Sequence, residues 1–245
     1  MTWRVTWATA RRVLAQLRHD PRTIALLLVV PSVLMALLAW MYVDQPGVFD
    51  SVGAPLLGLF PCLAMFLVTA VTTLRERRSG TLERLLSMPM RKGDFLLGYA
   101  IAFGLAAVVQ AGVVAGLSLT VLGLDVAGPA WAVVLVAVAD ALLGMALGLF
   151  VSAFARNEFQ AVQFMPALLL PQFLLSGLLV PRDELPTLLS WISNLLPLSY
   201  AVDAMQTLTT SPTVDASLWV DLGVVMAFSV AALALGAATL RRRTP

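Results

Sequence analysis

Few side chains in this sequence are equipped for chemistry, and their scarcity narrows the choices. There is one lysine (Lys92), one histidine (His19) and one cysteine (Cys62). A phosphate-cradling Walker loop ends in Gly-Lys-Ser/Thr. Lys92 follows Arg91 and precedes Gly93, so that loop is absent and any ATP must be hydrolysed by a different chain. One histidine and one cysteine rule out paired-ligand zinc sites and an internal disulfide, so no metal site is assigned. The Gly-x-Ser-x-Gly nucleophile motif is missing. His19 precedes the first apolar segment, so no Ser-His-Asp set lies within the apolar segments. No catalytic residue is assigned.

What remains is a set of polar groups inside apolar runs: Asp140, Gln110, Gln163 and Gln172. An acid at mid-bilayer costs about 2.5 kcal/mol or more. Two readings of Asp140 stay open. It is a pathway carboxylate that binds a proton or a cationic substrate, or it is a protonated or hydrogen-bonded acid that holds helices together. The glutamines divide the same way, and an interhelical hydrogen bond is worth about 1 kcal/mol.

The elements that must position these groups follow from composition. Of 245 residues, 60% are hydrophobic and only 12% charged, against about 25% charged in soluble domains. A soluble fold of this length has no room to hide that much apolar surface. The balance describes a membrane protein and excludes a disordered chain, a disulfide scaffold and a nucleic-acid binder. A helix needs about 20 apolar residues to cross the hydrocarbon. Six segments qualify, at about 24–43, 52–74, 95–124, 131–154, 159–180 and 218–240. Fifteen of the sixteen basic residues fall on one side of this alternation, and only Arg182 falls on the other. Basic loops stay in the cytoplasm, so both termini are expected there. The polar stretch before the first span is too long for a cleaved signal peptide, and no stretch is long enough for a soluble domain. The expected fold is one all-α polytopic membrane domain over residues 1–245.

Three segments are not simple spans. Residues 3–18 form an amphipathic pattern. Trp3, Trp7, Ala10, Leu14 and Leu17 share one face, and Arg4, Arg11 and Arg18 another, as expected of an interfacial helix at the headgroups. In the loop 75–94, Ser79 or Thr81 caps a short helix with Glu83 in its first turn. Leu82, Leu85 and Leu86 form a ridge, and Pro89 ends it. That ridge either docks into a partner's groove or lies on lipid. The outer segment 181–217 is long for a connection. It carries leucines at helical spacing between Pro186 and Pro197, as expected of short helices dipping into the membrane. Small-residue packing motifs occur at Gly112/Gly116 and Gly144/Gly148. Pro31, Pro61, Pro166 and Pro171 are expected to kink their helices.

The run Gly80-Thr81-Leu82-Glu83 with Leu85, Leu86 and Pro89 resembles the signature of type-2 ABC exporter permeases. The later run LSGLLVPRDELPTLLSWISNLLPLSYAVDAMQ is similar to the same family, through Gly177, Pro181, Pro186, Pro197 and Tyr200. The nearest group resembles the daunorubicin-exporter permeases. The resemblance implies that 79–89 is a cytoplasmic coupling helix seated in a separate ATPase subunit. It also implies an outer re-entrant helical hairpin before the last span. It further implies an assembly of two permease chains, identical or related, with two ATPase chains. ATP and Mg would be used by those partners, no cofactor would be bound by this chain, and the complex would lie among the lipids of a bacterial plasma membrane. The expected function is export of a hydrophobic or amphipathic substrate such as a drug, antibiotic or lipid. The competing reading is a stand-alone proton-coupled transporter that uses Asp140.

Overall fold

The computed structural model describes residues 3–78 and 92–239. The ridge Leu82, Leu85, Leu86 and the rest of Gly80–Pro89 lie outside the described residues. Nine helices are present among those described: α1 Trp3–Arg18, α2 Pro21–Met41, α3 Pro46–Arg78, α4 Lys92–Thr120, α5 Ala130–Ser152, α6 Glu158–Leu175, α7 Thr187–Ser193, α8 Pro197–Thr210 and α9 Ala216–Thr239. Their starts follow from local chemistry. Asp20 caps α2 by accepting from the N–H groups of Arg22 and Thr23 at 3.2 and 3.3 Å, with Pro21 at the first helical position. Asn157 caps α6 through the N–H of Gln160 at 2.8 Å. These groups satisfy donors that a helix start otherwise leaves open. Pro31, Pro61, Pro166 and Pro171 all sit inside continuous helices.

Five of these helices (α2, α3, α4, α5 and α9) are long and apolar enough to cross a membrane. The expected fifth span, 159–180, differs in extent. Its helix α6 has 18 residues and stops at Leu175. It reaches about 27 Å at 1.5 Å per residue. Ser176 caps it, and Gly177 then takes φ +93°, a left-handed conformation that ends the helix. Beyond it, the leucine pattern at 185–196 yields only the short α7. The chain turns at Leu195 and Leu196, whose N–H groups bond back to Ile192 and Ser193, before Pro197 opens α8.

The centre of the bundle is α3 against α5. About 70% of each apolar stretch is buried (72% and 67%), against 17% for α2 and 28% for α9, which stand at the periphery. Glycines set the closeness. A Cβ on Gly144 would overlap the backbone carbonyl group of Cys62, and one on Gly148 would meet the backbone of Phe66 and Ala70. One on Gly58 would lie 3.0 Å from Asp140 Oδ2. The pairs 58/140, 62/144 and 66/148 advance together, so α3 and α5 run parallel, backbone against backbone. The motif in α4 behaves differently, because Gly112 and Gly116 face nothing within 4 Å.

Further contacts define two ends. Trp131 and Trp219 stack with centroids 6.4 Å apart, joining the starts of α5 and α9. The Asp125 N–H donates to Asp50 at 2.9 Å, and the Gly128 N–H to Leu208 at 2.8 Å. These lie at one end, with the start of α3. The other end gathers α1, the end of α3, the start of α4, the end of α5 and the start of α6, and it carries most of the arginines. α8 slants inward from the first end. Its Met205 Cε comes within 3.6 Å of a Cβ position at Gly58, more than a helical turn below the rim.

Candidate functional site

At the arginine-rich end, the last turn of α3 is tied to three neighbours. Arg12 of α1 donates to Glu76 at 3.1 Å and to the Tyr99 hydroxyl of α4 at 2.8 Å, and Gln16 donates to Glu76 at 2.8 Å. α1 can lie this close because Gly98 on α4 leaves room for Thr6 and Thr9, both buried. The face α1 buries is therefore Thr6, Thr9, Ala10 and Val13, whereas Trp3 and Trp7 of the expected apolar stripe are 70% and 58% exposed. Arg77 donates to the Ser152 carbonyl at the end of α5. Arg75 grips Glu158 at the start of α6 with two hydrogen bonds, at 2.9 and 2.8 Å. The chain leaves this collar at Arg78, so the first four residues of the expected loop 75–94 belong to the last turn of α3.

The Arg75 hydrogen bonds hold the Glu158 carboxyl below its ordinary value of 4.5. A lowered acid contributes stability above its unfolded value and loses it as pH falls through the folded one. The tie therefore holds at neutral pH and is lost as pH falls below the ordinary carboxylate range. Both partners are well exposed, so its worth is within about 1 kcal/mol. Glu158→Arg is expected to lower the melting temperature of the purified chain by about 2–4 °C. Arg75→Glu in the same chain should restore it. Equal melting temperatures for the single and double variants would contradict the tie.

Inside the bundle, the structure does not join the four polar residues by hydrogen bonds among the described residues. Asp140 is 2% exposed, faces Gly58 and the Cys62 thiol of α3, and leaves Oδ1 without a partner. Gln110 is fully buried, with neither side-chain polar atom bonded. Gln172 is buried and donates to the Leu168 carbonyl at 3.1 Å. Gln163 lies exposed on α6. None of the four lines the apolar groove of about 340 Å³ between α3 and α6, which is walled by residues including Leu59, Phe60, Pro166 and Leu170.

At the opposite end, the expected hairpin residues converge on one that sequence reasoning used only as a topology marker. Arg182 pairs with Asp203 of α8, donates to Asn194 after α7, and lies 5.3 Å over the Tyr200 ring. Tyr200 in turn donates to the Asn194 carbonyl at 2.8 Å. Gly177 makes space for the Arg182 stem, 3.0 Å from where a Cβ would be. Pro181 precedes Arg182, and Pro186 and Pro197 stand at the starts of α7 and α8. Burial raises the Asp203 carboxyl above its ordinary range, and Arg182 works against that. Arg182→Ala should cost about 1–2 kcal/mol by leaving Asp203 half-buried and unpaired. Adding Asp203→Asn should recover part of this. Thermal unfolding and protease cleavage within 176–197 would measure it, and an unchanged cleavage rate would contradict the role.

The sequence profile of the ABC-2 type transporter family matches residues 4–209, covering collar, core and hairpin. The chain belongs to the ABC-2 type transporter family. It is 25% identical over 178 residues to the probable multidrug ABC transporter permease YbhS of Escherichia coli (strain K12), covering 72% of this chain and 47% of that protein. It is 25% identical over 183 residues to the linearmycin resistance permease protein LnrN of Bacillus subtilis (strain 168), covering 75% and 47%. It is 30% identical over 139 residues to ABC transporter G family member 20 of Dictyostelium discoideum, covering 57% and 19%. The chain thus spans about half the length of these relatives or less. This ABC-2 chain is a type-2 ABC permease and a multi-pass protein of the bacterial plasma membrane. Of its collar, sequence reasoning missed the ion pairs. Glu76 sits between Arg75 and Arg77, so local charge reading gives it to its neighbours in sequence rather than to Arg12, 64 residues away.

Proposed function

We propose that this chain is the non-catalytic membrane subunit of an ATP-driven exporter. It crosses the membrane six times, counting α6, with both termini in the cytoplasm and 181–217 as an outer re-entrant hairpin. Two copies of a separate ATPase bind and hydrolyse ATP with Mg and drive two permease chains, identical or related. The substrate is a hydrophobic or amphipathic drug, antibiotic or lipid, and the names of YbhS and LnrN support this class.

The observation that carries the reading is the collar. The last turn of α3 leads straight into the expected coupling loop and is bonded to α1, α5 and α6. A push delivered to that loop reaches four helices at once. The one-sided distribution of basic residues supports cytoplasmic placement of the same end. For the pathway, Asp140, Gln110, Gln163 and Gln172 remain the candidate polar groups. Gly177, Pro181, Pro186, Pro197 and Tyr200 shape the hairpin around Arg182.

Reconstitution tests the reading. Vesicles holding the permease with its ATPase should export a fluorescent amphipathic substrate only with ATP and Mg. Vesicles with the permease alone should not. Transport by the permease alone that stops when the proton gradient is collapsed would replace this reading with the proton-coupled one centred on Asp140.

A further inference from the structure

The collar leaves one face of α1 unused, and its chemistry is distinctive. α1 carries four arginines and no acidic residue. Arg12 is matched by Glu76, whereas Arg4 and Arg11 are exposed and have no carboxylate partner among the described residues. They lie seven positions apart on one stripe with Ala8 between them, and Trp3 and Trp7 stand alongside. Together these residues border an open hollow of about 730 Å³. Because Thr6 and Thr9 face α4, the tryptophans and the two free arginines point away from the bundle.

The height of this face is set on both sides. Two residues, His19 and Asp20, separate α1 from the apolar helix α2. On α4, α1 rests at Gly98, just past Leu96, where that helix's apolar stretch begins. α1 therefore lies at the plane where two spans enter hydrocarbon. Tryptophan is favoured at that depth. Arginine's planar fork matches the oxygens of a phosphate. The small Ala8 leaves space between the two guanidinium groups. A zwitterionic headgroup sets its own cation against its phosphate and leaves the surplus arginine charge unmet, whereas an acidic headgroup meets it.

We propose that the face Trp3, Arg4, Trp7, Ala8 and Arg11 is a binding site for the phosphodiester headgroup of an acidic phospholipid. Arg4 and Arg11 take the phosphate, and the two indoles rest at the glycerol level. The site is a property of the permease chain alone and does not depend on the exporter reading.

The test is native mass spectrometry of the full-length chain in mild detergent, titrated with phosphatidylglycerol or phosphatidylcholine. Wild type should retain phosphatidylglycerol in preference. Each basic residue near an acidic surface contributes enough that Arg4→Gln or Arg11→Gln should weaken phosphatidylglycerol binding about fivefold, and the pair about 30-fold. Phosphatidylcholine binding should not change. Arg18→Gln, the same charge loss two turns further along the stripe and outside the lining of the hollow, should leave phosphatidylglycerol binding at wild-type level. The changed side chains are exposed, so melting temperatures of all variants should match wild type. Wild-type phosphatidylglycerol binding by the double variant overturns the proposal, and so does an equal loss in Arg18→Gln. Displacement of the lipid by inorganic phosphate at equal concentration would make this a soluble-anion site instead. Loss of ATPase-subunit binding in the double variant, with lipid binding intact, would assign the face to the protein partner.

Discussion

Gly144→Leu is expected to prevent this chain from accumulating in folded form. Even the single carbon of alanine at this position would overlap the Cys62 carbonyl group, and its Cα would lie 2.9 Å away. A backbone neighbour does not swing aside as a flexible side chain does, so α3 and α5 must separate. Overpacking a tight core costs about 1–3 kcal/mol for added methylenes. Here the damage falls on the most buried seam of the bundle. Gly144→Ala should cost about 3 kcal/mol, and the leucine variant should exceed the total stability of a marginal fold, roughly 5–15 kcal/mol. Gly148→Leu should behave similarly, because its missing Cβ sits against Phe66 and Thr69. Gly112→Leu is the control. It belongs to the same small-residue motif but faces nothing within 4 Å, so yield and melting temperature of the single chain should change little. Size-exclusion profiles of fluorescently tagged variants would measure this. A folded Gly144→Leu monomer at wild-type yield would refute the packing described for α3 and α5.

The second large effect is on coupling. On the proposed exporter reading, Leu82→Asp with Leu85→Asp is expected to leave the permease folded and inserted while abolishing ATP-driven export. Truncating an apolar anchor at the centre of an interface costs about 2 kcal/mol or more. A pair of charged replacements should therefore lower affinity for the ATPase by about 30-fold at least. The effect should be selective, because the collar bonds made by Arg12, Arg75 and Arg77 lie upstream and stay intact. Melting temperature should match wild type, and both co-purification of the ATPase and stimulation of its turnover should be lost. If the double variant still captures and stimulates the ATPase, the coupling assignment of residues 79–89 is wrong.

Much of the fold was legible in the sequence, because a span needs a long apolar run and little else. α2, α3, α4, α5 and α9 all appear close to where hydropathy puts them. Hydropathy does not report where a helix ends when apolar residues continue past its last turn. Leu178, Leu179 and Val180 extended the expected fifth span beyond Gly177, and the left-handed glycine stops it. Periodicity also fails to say which face of a helix meets protein. In α1 the stripe with Trp3 and Trp7 was expected to face the headgroups, and the pattern did not show that Thr6 and Thr9 form the face that meets α4 at Gly98. Counting arginines located the two ends of the bundle but not their partners. Arg182 read as an exception to the charge rule, and it is the residue around which the hairpin closes. Asp140 and Gln110 are buried with unbonded atoms, a placement that depends on neighbouring helices and that no single-helix pattern contains.

The glycine seam between α3 and α5 bears on how force crosses the bilayer. Where two helices meet through interlocking side chains, rotamer changes can absorb a small displacement. Here carbonyl groups lie directly on glycine Cα atoms, and no compliant layer intervenes. The two helices therefore behave as one stiff rod. One end of that rod is gripped by the collar, and partway along it Gly58 carries Met205 of α8. A shift imposed on the last turn of α3 cannot be lost to sliding along the seam. In the exporter proposed above, its route to the outer segment would be Met205 of α8 at Gly58, with the less buried α2 and α9 outside the seam.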